Sequence, residues 1–522
     1  MTAPLAARGP ASLHGGASRL ATLLALGAGA ATVFGFAPFC VAVVPVVTLA
    51  LLVLLWQNAT TARTAALYGF AFGFGLFGAG VSWIANALST FGGMPWPAAL
   101  FAMAVLCAFL ALYPAAAGWL AVRWTRRRSW QRALAAAAAW TLAEWVRSVA
   151  LTGFGWLSLG YSQLPDGGVA PLAPYASIGG VFAVTFAVAL TAGALALAIE
   201  AFAAPDPRRG VALVAGVAVI AAGGIALGRV EWTEPVGAPV DVSLLQGNVA
   251  QHLKFDPGFR AATFDLYAEL AAQSRGRLIV MPESAFPMFA DEIPDEVMLG
   301  LLRTAAARDG DILIGLFTLD PPLPGMRHAR YYNTVVALGA SEPQIYRKRH
   351  LVPFGETIPF EAWLAPVLDA IIAIPLASQT AGDPAPPPMA VAGQRVAVNI
   401  CYEDTFGADV RPQARAATLL VNVTNDAWYG HSIGALQHDQ IAAMRALETG
   451  RPLLRATNTG ITSAIDHHGR ETQRLPWFTR GILEATVEGR QGETPYMRIG
   501  DAPVALVMAL VLAMAAWRGR SR

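Results

Sequence analysis

The chain has 522 residues, 55% of them apolar and only 14% charged, well outside the range of a soluble globular protein. Its 37 Lys and Arg nearly balance 35 Asp and Glu, leaving +2, so there is no electrostatic case for a nucleic-acid partner. Composition therefore points to an integral membrane protein.

In chain order, apolar stretches at 18–36, 40–56, 64–85, 98–122, 130–146, 176–201 and 211–227 precede a more polar region, and an eighth at 503–517 follows it. Most approach the ~20 residues that cross a bilayer core. Arginines mark every second connection: Arg8 and Arg19 before the first stretch, Arg63 after the second, Arg123 to Arg132 between the fourth and fifth, Arg208 and Arg209 after the sixth, and Arg518 to Arg522 at the end. The turns at 37–39 and 89–97 carry no Lys or Arg. Under the positive-inside rule both termini are expected in the cytoplasm and the polar region on the outer, periplasmic face of a bacterial inner membrane. The first apolar run leads at once into a second, so it is read as a span and not as a removable signal.

The expected organisation is a bundle of seven spans over 1–236, an α/β domain over 237–490, and a last span with a cytoplasmic tail over 491–522. Within the domain, strands are expected at 240–246, 278–281, 312–316, 334–338, 396–400, 419–423 and 453–456. Helices are expected at 259–274, 295–308 and 438–449. This alternation argues for α/β layers around a buried sheet. Two long loops, 320–331 and 357–389, interrupt it; the second, with an apolar run and then DPAPPP, reads as a lid or arm at the lipid interface or as an amphipathic helix on the domain.

Three chemical side chains stand at or near expected strand ends: Glu283 in LIVMPES, Lys348 in YRKRHLVPFGE and Cys401 in VAVNICYED. The carboxyl end of a strand is where an α/β sheet exposes functional groups. Cys40 and Cys107 fall at or in apolar stretches, as small packing residues do. Cys401 is alone in the α/β domain. A base, a fixed cation and a thiol are the parts of acyl transfer through a thioester. Glu144 and Arg147 are read as paired, snorkelling helix-end residues, and Trp83, Trp96 and Trp156 as interfacial anchors. His438 and Asp439 are read as helix-face packing, with no ligand at metal-site spacing.

The order and neighbours of Glu283, Lys348 and Cys401 resemble the Glu-Lys-Cys triad of the nitrilase, or carbon–nitrogen hydrolase, superfamily. The whole chain resembles the apolipoprotein N-acyltransferases in the words GFGWLSLGYSQ, LLQGN, MPES, KRHLVPFGE, CYED, TNDAWYG and RALETGRPLLRATNTGIT. That resemblance implies a nitrilase-like αββα sandwich joined to a membrane helical bundle. It also implies Glu283 as general base, Lys348 as oxyanion-stabilising cation and Cys401 as nucleophile. Glu356 would be a second carboxylate at the site, with Tyr402, Glu403 and Trp428 shaping it. The implied substrates are a phospholipid acyl donor and a diacylglyceryl-modified apolipoprotein acceptor. Transfer from thioester to amide is downhill, so no cofactor or metal is expected, and a monomer is expected because eight spans constrain the surface through which soluble nitrilases associate. Phe255, Gly155, Thr424 and Tyr429 depart from the family words. The alternatives are a membrane-anchored amidase with the same triad, or a non-enzymatic lipid-binding or transport protein.

Overall fold

The computed structural model describes residues 11–322, 329–358 and 379–520, with side chains from Ser18 onward. Most of the 357–389 arm lies outside the described residues. A helix stands at each of the eight apolar stretches: Ala11–Thr32, Val43–Asn58, Ala62–Gly80, Trp96–Arg123, Trp130–Val149, Ala176–Phe202, Arg208–Leu227 and Ala502–Arg520. Only five described spans are long and apolar enough to cross a membrane outright, or six if Ala62–Gly80 and Trp83–Phe91, bent by 51°, form one. Val43–Asn58 is shorter, with 16 residues or about 24 Å at ~1.5 Å per residue. Trp130–Val149 carries three charges, Arg132, Glu144 and Arg147.

Those charges face inward. Arg132 donates to the carbonyls of Trp56, Ala59 and Thr125. Glu144 and Arg147 are buried and do not snorkel: Glu144 accepts from Trp140 Nε1, Leu159 N and Thr185 Oγ1, while Arg147 donates to the carbonyls of Phe154 and Trp156 and to Ser158 Oγ. Both side chains fold the 154–159 loop onto the helix end, because a buried charge must find partners where water is absent. Glycine lets the helices touch: a side chain at Gly69 would run into the Pro114 carbonyl, and one at Gly29 into that of Phe72.

Among the described residues the α/β domain has two six-stranded sheets. The first has strand order β13-β2-β3-β4-β5-β6, formed by Gly481–Val487, Val240–Gln246, Leu278–Val280, Asp311–Asp320, Arg330–Gly339 and Gln344–Arg347. The second has order β12-β11-β10-β9-β8-β7, formed by Glu471–Arg474, Ser463–Ile465, Leu453–Thr457, Leu419–Thr424, Gln394–Ile400 and Met389–Val391. A two-stranded ribbon, β1 (Thr233–Pro235) with β14 (Arg490–Gly492), closes the junction with the bundle. In each sheet the central strands are parallel: β2, β3 and β4 in one, β8, β9 and β10 in the other.

Alternation along each strand separates the layers. Val242, Leu244, Leu278, Val280 and Leu313 pack in one core with Val396, Val398, Ile400, Val421 and Leu454 of the other sheet. The opposite face of the first sheet, through Leu245, Ile279, Ile312 and Ile314, packs on Tyr267, Leu270 and Leu301 of the helices Arg260–Gln273 and Asp295–Ala306. The second sheet is covered by Gly407–Ala416 and Gly434–Thr449. The result is the expected αββα sandwich.

The helix Gly434–Thr449 is buried at every residue but Leu436, since the sheet lies on one side and the bundle on the other. Its polar groups bond across that junction: Gln437 Oε1 accepts from Trp156 Nε1 at 2.7 Å, Gln440 bonds Ala37 N and the Leu164 carbonyl, and Glu448 accepts from Val181 N. Trp83 and Trp156, expected at the lipid interface, are instead buried here with their rings against Tyr429. Trp96 is half exposed.

Candidate active site

The parallel strands β3, β8 and β9 end at the same edge of the sandwich. Glu283 follows β3 by three residues, Cys401 directly follows β8, and Asn425 directly follows β9. Lys348 follows β6 and is fixed by its own N–H, which donates to the Asn333 carbonyl at 2.8 Å. Cys401 has φ +52° and Ser284 φ +48°. Left-handed backbone at non-glycine residues is costly and collects where side chains must be aimed.

Lys348 is about 1% exposed and held between two carboxylates, 2.7 Å from Glu356 Oε1 and 3.2 Å from Glu283 Oε1. Glu283 Oε1 also accepts from Asn333 Nδ2 at 2.8 Å, and its Oε2 from Asn425 N at 2.9 Å, a bond that spans the two sheets. Glu356 Oε2 accepts from Val352 N, which folds the PFGE turn back onto the site.

Burial pushes the Glu283 carboxyl up, but the ammoniums of Lys348 and Lys254 outweigh it and hold the group below the usual carboxylate range. Burial alone would lower Lys348; Glu283 and Glu356 hold it well above its ordinary value. Burial, with the neighbouring Glu283 charge, pushes the Cys401 thiol well above its ordinary value, and Lys348 and Thr424 offset only part of this. The resting charge state is thus thiol, carboxylate and ammonium. Such a site can move the thiol proton only as a substrate draws the sulfur forward.

The remaining expected residues sit around this centre in different ways. Glu403 is buried and works as a clamp: Oε1 accepts from the N–H groups of Arg349 and His350, and Oε2 from Ile400 N and the Tyr346 hydroxyl. It ties the segment carrying Lys348 to the turn carrying Cys401. Tyr402 is buried, and its hydroxyl donates to the Gly153 carbonyl at 3.2 Å, reaching the bundle. Trp428 is 38% exposed and lies edge-on to Phe91.

His438 is not helix-face packing. It lies fully buried beneath Cys401, with Nδ1 2.8 Å from Asp426 Oδ1 and Nε2 2.9 Å from Asp404 Oδ1 and 3.3 Å from the Cys401 carbonyl. All these partners accept only, so both ring nitrogens must donate and the ring is an imidazolium. Burial and Arg455 pull its pKa down, yet Asp404 and Asp426 hold it at about 9. Arg455 closes the cluster through Asp404 Oδ2, Asp426 Oδ2 and Asn422 Oδ1. Two cations and two carboxylates, all inaccessible to solvent, brace the nucleophile turn.

Lys254 also escaped the sequence reading. It is buried, its Nζ donates to the Glu283 carbonyl at 3.0 Å, and burial, only partly opposed by Glu283, lowers its pKa to about 8. Its neighbour Phe255 is exposed. The available signal lay in the words LLQGN, which ends six residues before Lys254, and TNDAWYG, which holds Asn425 and Asp426. A cavity of about 510 Å³ between the bundle and the domain is lined by Thr405, Phe406, Arg445, Glu448 and Tyr496 among others, but not by Glu283, Lys348 or Cys401.

Two families match this chain. Residues 28–194 match the Apolipoprotein N-acyltransferase N-terminal domain and residues 242–496 the Carbon-nitrogen hydrolase family. An apolipoprotein N-acyltransferase of Nitrosomonas europaea is 46% identical over 503 residues, covering 96% of this chain and 98% of the relative. The chain belongs to the apolipoprotein N-acyltransferase family. Further apolipoprotein N-acyltransferases, of Methylococcus capsulatus and Ralstonia nicotianae, are each 42% identical, over 92% and 91% of this chain and 93% and 89% of the relatives. Family membership accounts for both halves: most of the helical bundle falls within the N-terminal domain of that family, and the sandwich falls within the match to carbon–nitrogen hydrolases. It also makes the chain an enzyme, so neither the amidase nor the non-enzymatic reading is favoured.

Proposed function

We propose that this membrane enzyme moves a fatty acyl chain from a phospholipid to the N-terminal amine of a diacylglyceryl-modified lipoprotein, through a thioester on Cys401. The observation that carries this reading is the buried ammonium of Lys348 between Glu283 and Glu356 at the strand edge that also presents Cys401.

Glu283 takes the thiol proton as sulfur attacks the ester carbonyl. Lys348, with the Tyr402 N–H, stabilises the tetrahedral oxyanion. The carbon–oxygen bond to glycerol then breaks, Glu283 returns the proton to the departing oxygen, and a lysophospholipid leaves. In the second half-reaction the amine attacks the thioester, Glu283 takes a proton from the attacking nitrogen, and that proton returns to sulfur as the amide forms. A thioester is higher in acyl-transfer potential than an amide, so this balance needs no energy source or cofactor. Glu356 shares the Lys348 charge, which leaves Glu283 less tightly bound to it and more able to accept a proton. Glu403 and Tyr402 position the turn, and Trp428 shapes the site.

The reading places the sandwich on the periplasmic face of the inner membrane and both termini in the cytoplasm, on the arginine pattern of the connections. It takes the enzyme to be a monomer. The test is transfer from phosphatidylethanolamine to a diacylglyceryl lipopeptide by purified wild-type protein and by Cys401→Ser, Glu283→Gln and Lys348→Ala. Each variant is expected to lose turnover; normal turnover in any one overturns the role assigned to that residue.

A further inference from the structure

We propose a surface binding site for a borderline divalent cation, with Zn²⁺ the best fit, formed by Glu231, His467 and His468 at the junction of the bundle and the sandwich. The three side chains come from two segments. Glu231 lies in the connection that leaves Arg208–Leu227, and the histidines form the turn between β11 and β12.

The donors converge. Glu231 Oε2 is 3.1 Å from His467 Nε2, and Oε1 is 3.1 Å from His468 Nε2. One ligand atom from each residue falls within 4.8 Å of the others. Donors at about 2.1 Å from a tetrahedral ion stand roughly 3.4 Å apart, so small side-chain shifts close the set. Two imidazoles and a carboxylate, with the remaining position open to water, suit Zn²⁺ better than a hard cation.

The frame is already built. Asp466 Oδ1 accepts from both His468 N and Arg470 N at 2.9 Å, and Gly469 has φ +77°, which fixes the turn and both rings. The rings lie 4.0 Å apart. Arg490, itself nearly buried, donates to Glu231 Oε2 at 2.8 Å and through Nε to Thr233 Oγ1, so the carboxylate is oriented from behind as metal-ligating carboxylates commonly are. A bound ion would staple the outer end of a membrane helix to the sandwich, far from the acyl-transfer chemistry.

The experiment titrates Zn²⁺ into full-length protein in detergent, carrying no histidine tag, against a chromophoric competitor. Wild-type protein should bind one ion per chain. Glu231→Gln and the double variant His467→Gln with His468→Gln should each weaken binding by at least ~10-fold while acyl transfer without Zn²⁺ is unchanged. No binding by wild-type protein, or equal binding by the variants, overturns the site. If a variant does not fold, diethylpyrocarbonate mapping of the wild type decides: Zn²⁺ should protect His467 and His468, and undiminished modification of both rejects the proposal.

Discussion

Lys348 lies closer to Glu356 than to Glu283, 2.7 Å against 3.2 Å, so the carboxylate read as accessory holds the shorter ion pair. Glu356→Gln should therefore leave Lys348 paired with Glu283 alone and make that carboxylate a poorer proton acceptor. We expect acylation to slow by about 10²-fold, the scale of losing one preorganised electrostatic contact. Single-turnover acylation kinetics would check this; an unchanged rate would show Glu356 to be only a turn cap for Val352.

The His438 cluster makes a stability prediction. The pKa of this ring is raised in the folded protein to about 9 from 6.5. Its contribution is fully present below pH 6.5 and is lost as pH rises through about 9. Thermal stability should fall across that window, and His438→Gln should flatten the fall while lowering the melting temperature at neutral pH. Melting curves from pH 6 to 10 give the answer, and a wild-type profile already flat there would contradict an imidazolium.

How far the sequence carried this reading depends on what each residue packs against. Strands such as Leu278–Val280 and Leu419–Thr424 were legible because parallel strands covered on both faces are continuous apolar runs. Glu471–Arg474 and Gly481–Val487 were not placed, since the first of these edge strands is largely exposed, the second has a single buried residue, and neither shows a continuous apolar run. Glu144, Arg147, Trp83 and Trp156 were placed wrongly for one shared reason. A polar or amphipathic side chain on an apolar helix or loop reads as a surface group, and only tertiary partners reveal that it is buried. Glu283, Lys348 and Cys401 were singled out by their strand-end positions and the family words, whereas Lys254 had no periodic signal at all.

Lys254 is one of two ammoniums that depress the Glu283 pKa. Replacing it by Met keeps the stem and removes the charge. The acid limb of the acylation profile should move to higher pH, with the fold checked by melting. An unmoved limb would mean that Lys348 alone sets the Glu283 charge.

Glu403→Gln places an NH₂ against backbone donors that now share a carboxylate. An unsatisfied buried donor costs roughly 1–3 kcal/mol, so the melting temperature should drop and acylation should slow as the Lys348 and Cys401 segments loosen from each other. Full stability in this variant would show that the clamp across Ile400, Arg349 and His350 is dispensable.

The most direct test of the account is intact-mass analysis of the purified enzyme incubated with phosphatidylethanolamine and no acceptor. The account predicts an acyl-sized mass increase that maps to Cys401, is released by mild hydroxylamine, and is absent in Cys401→Ser. An enzyme that transfers acyl chains to lipopeptide yet never carries this adduct on Cys401, even in rapid-quench samples, would contradict the thioester route.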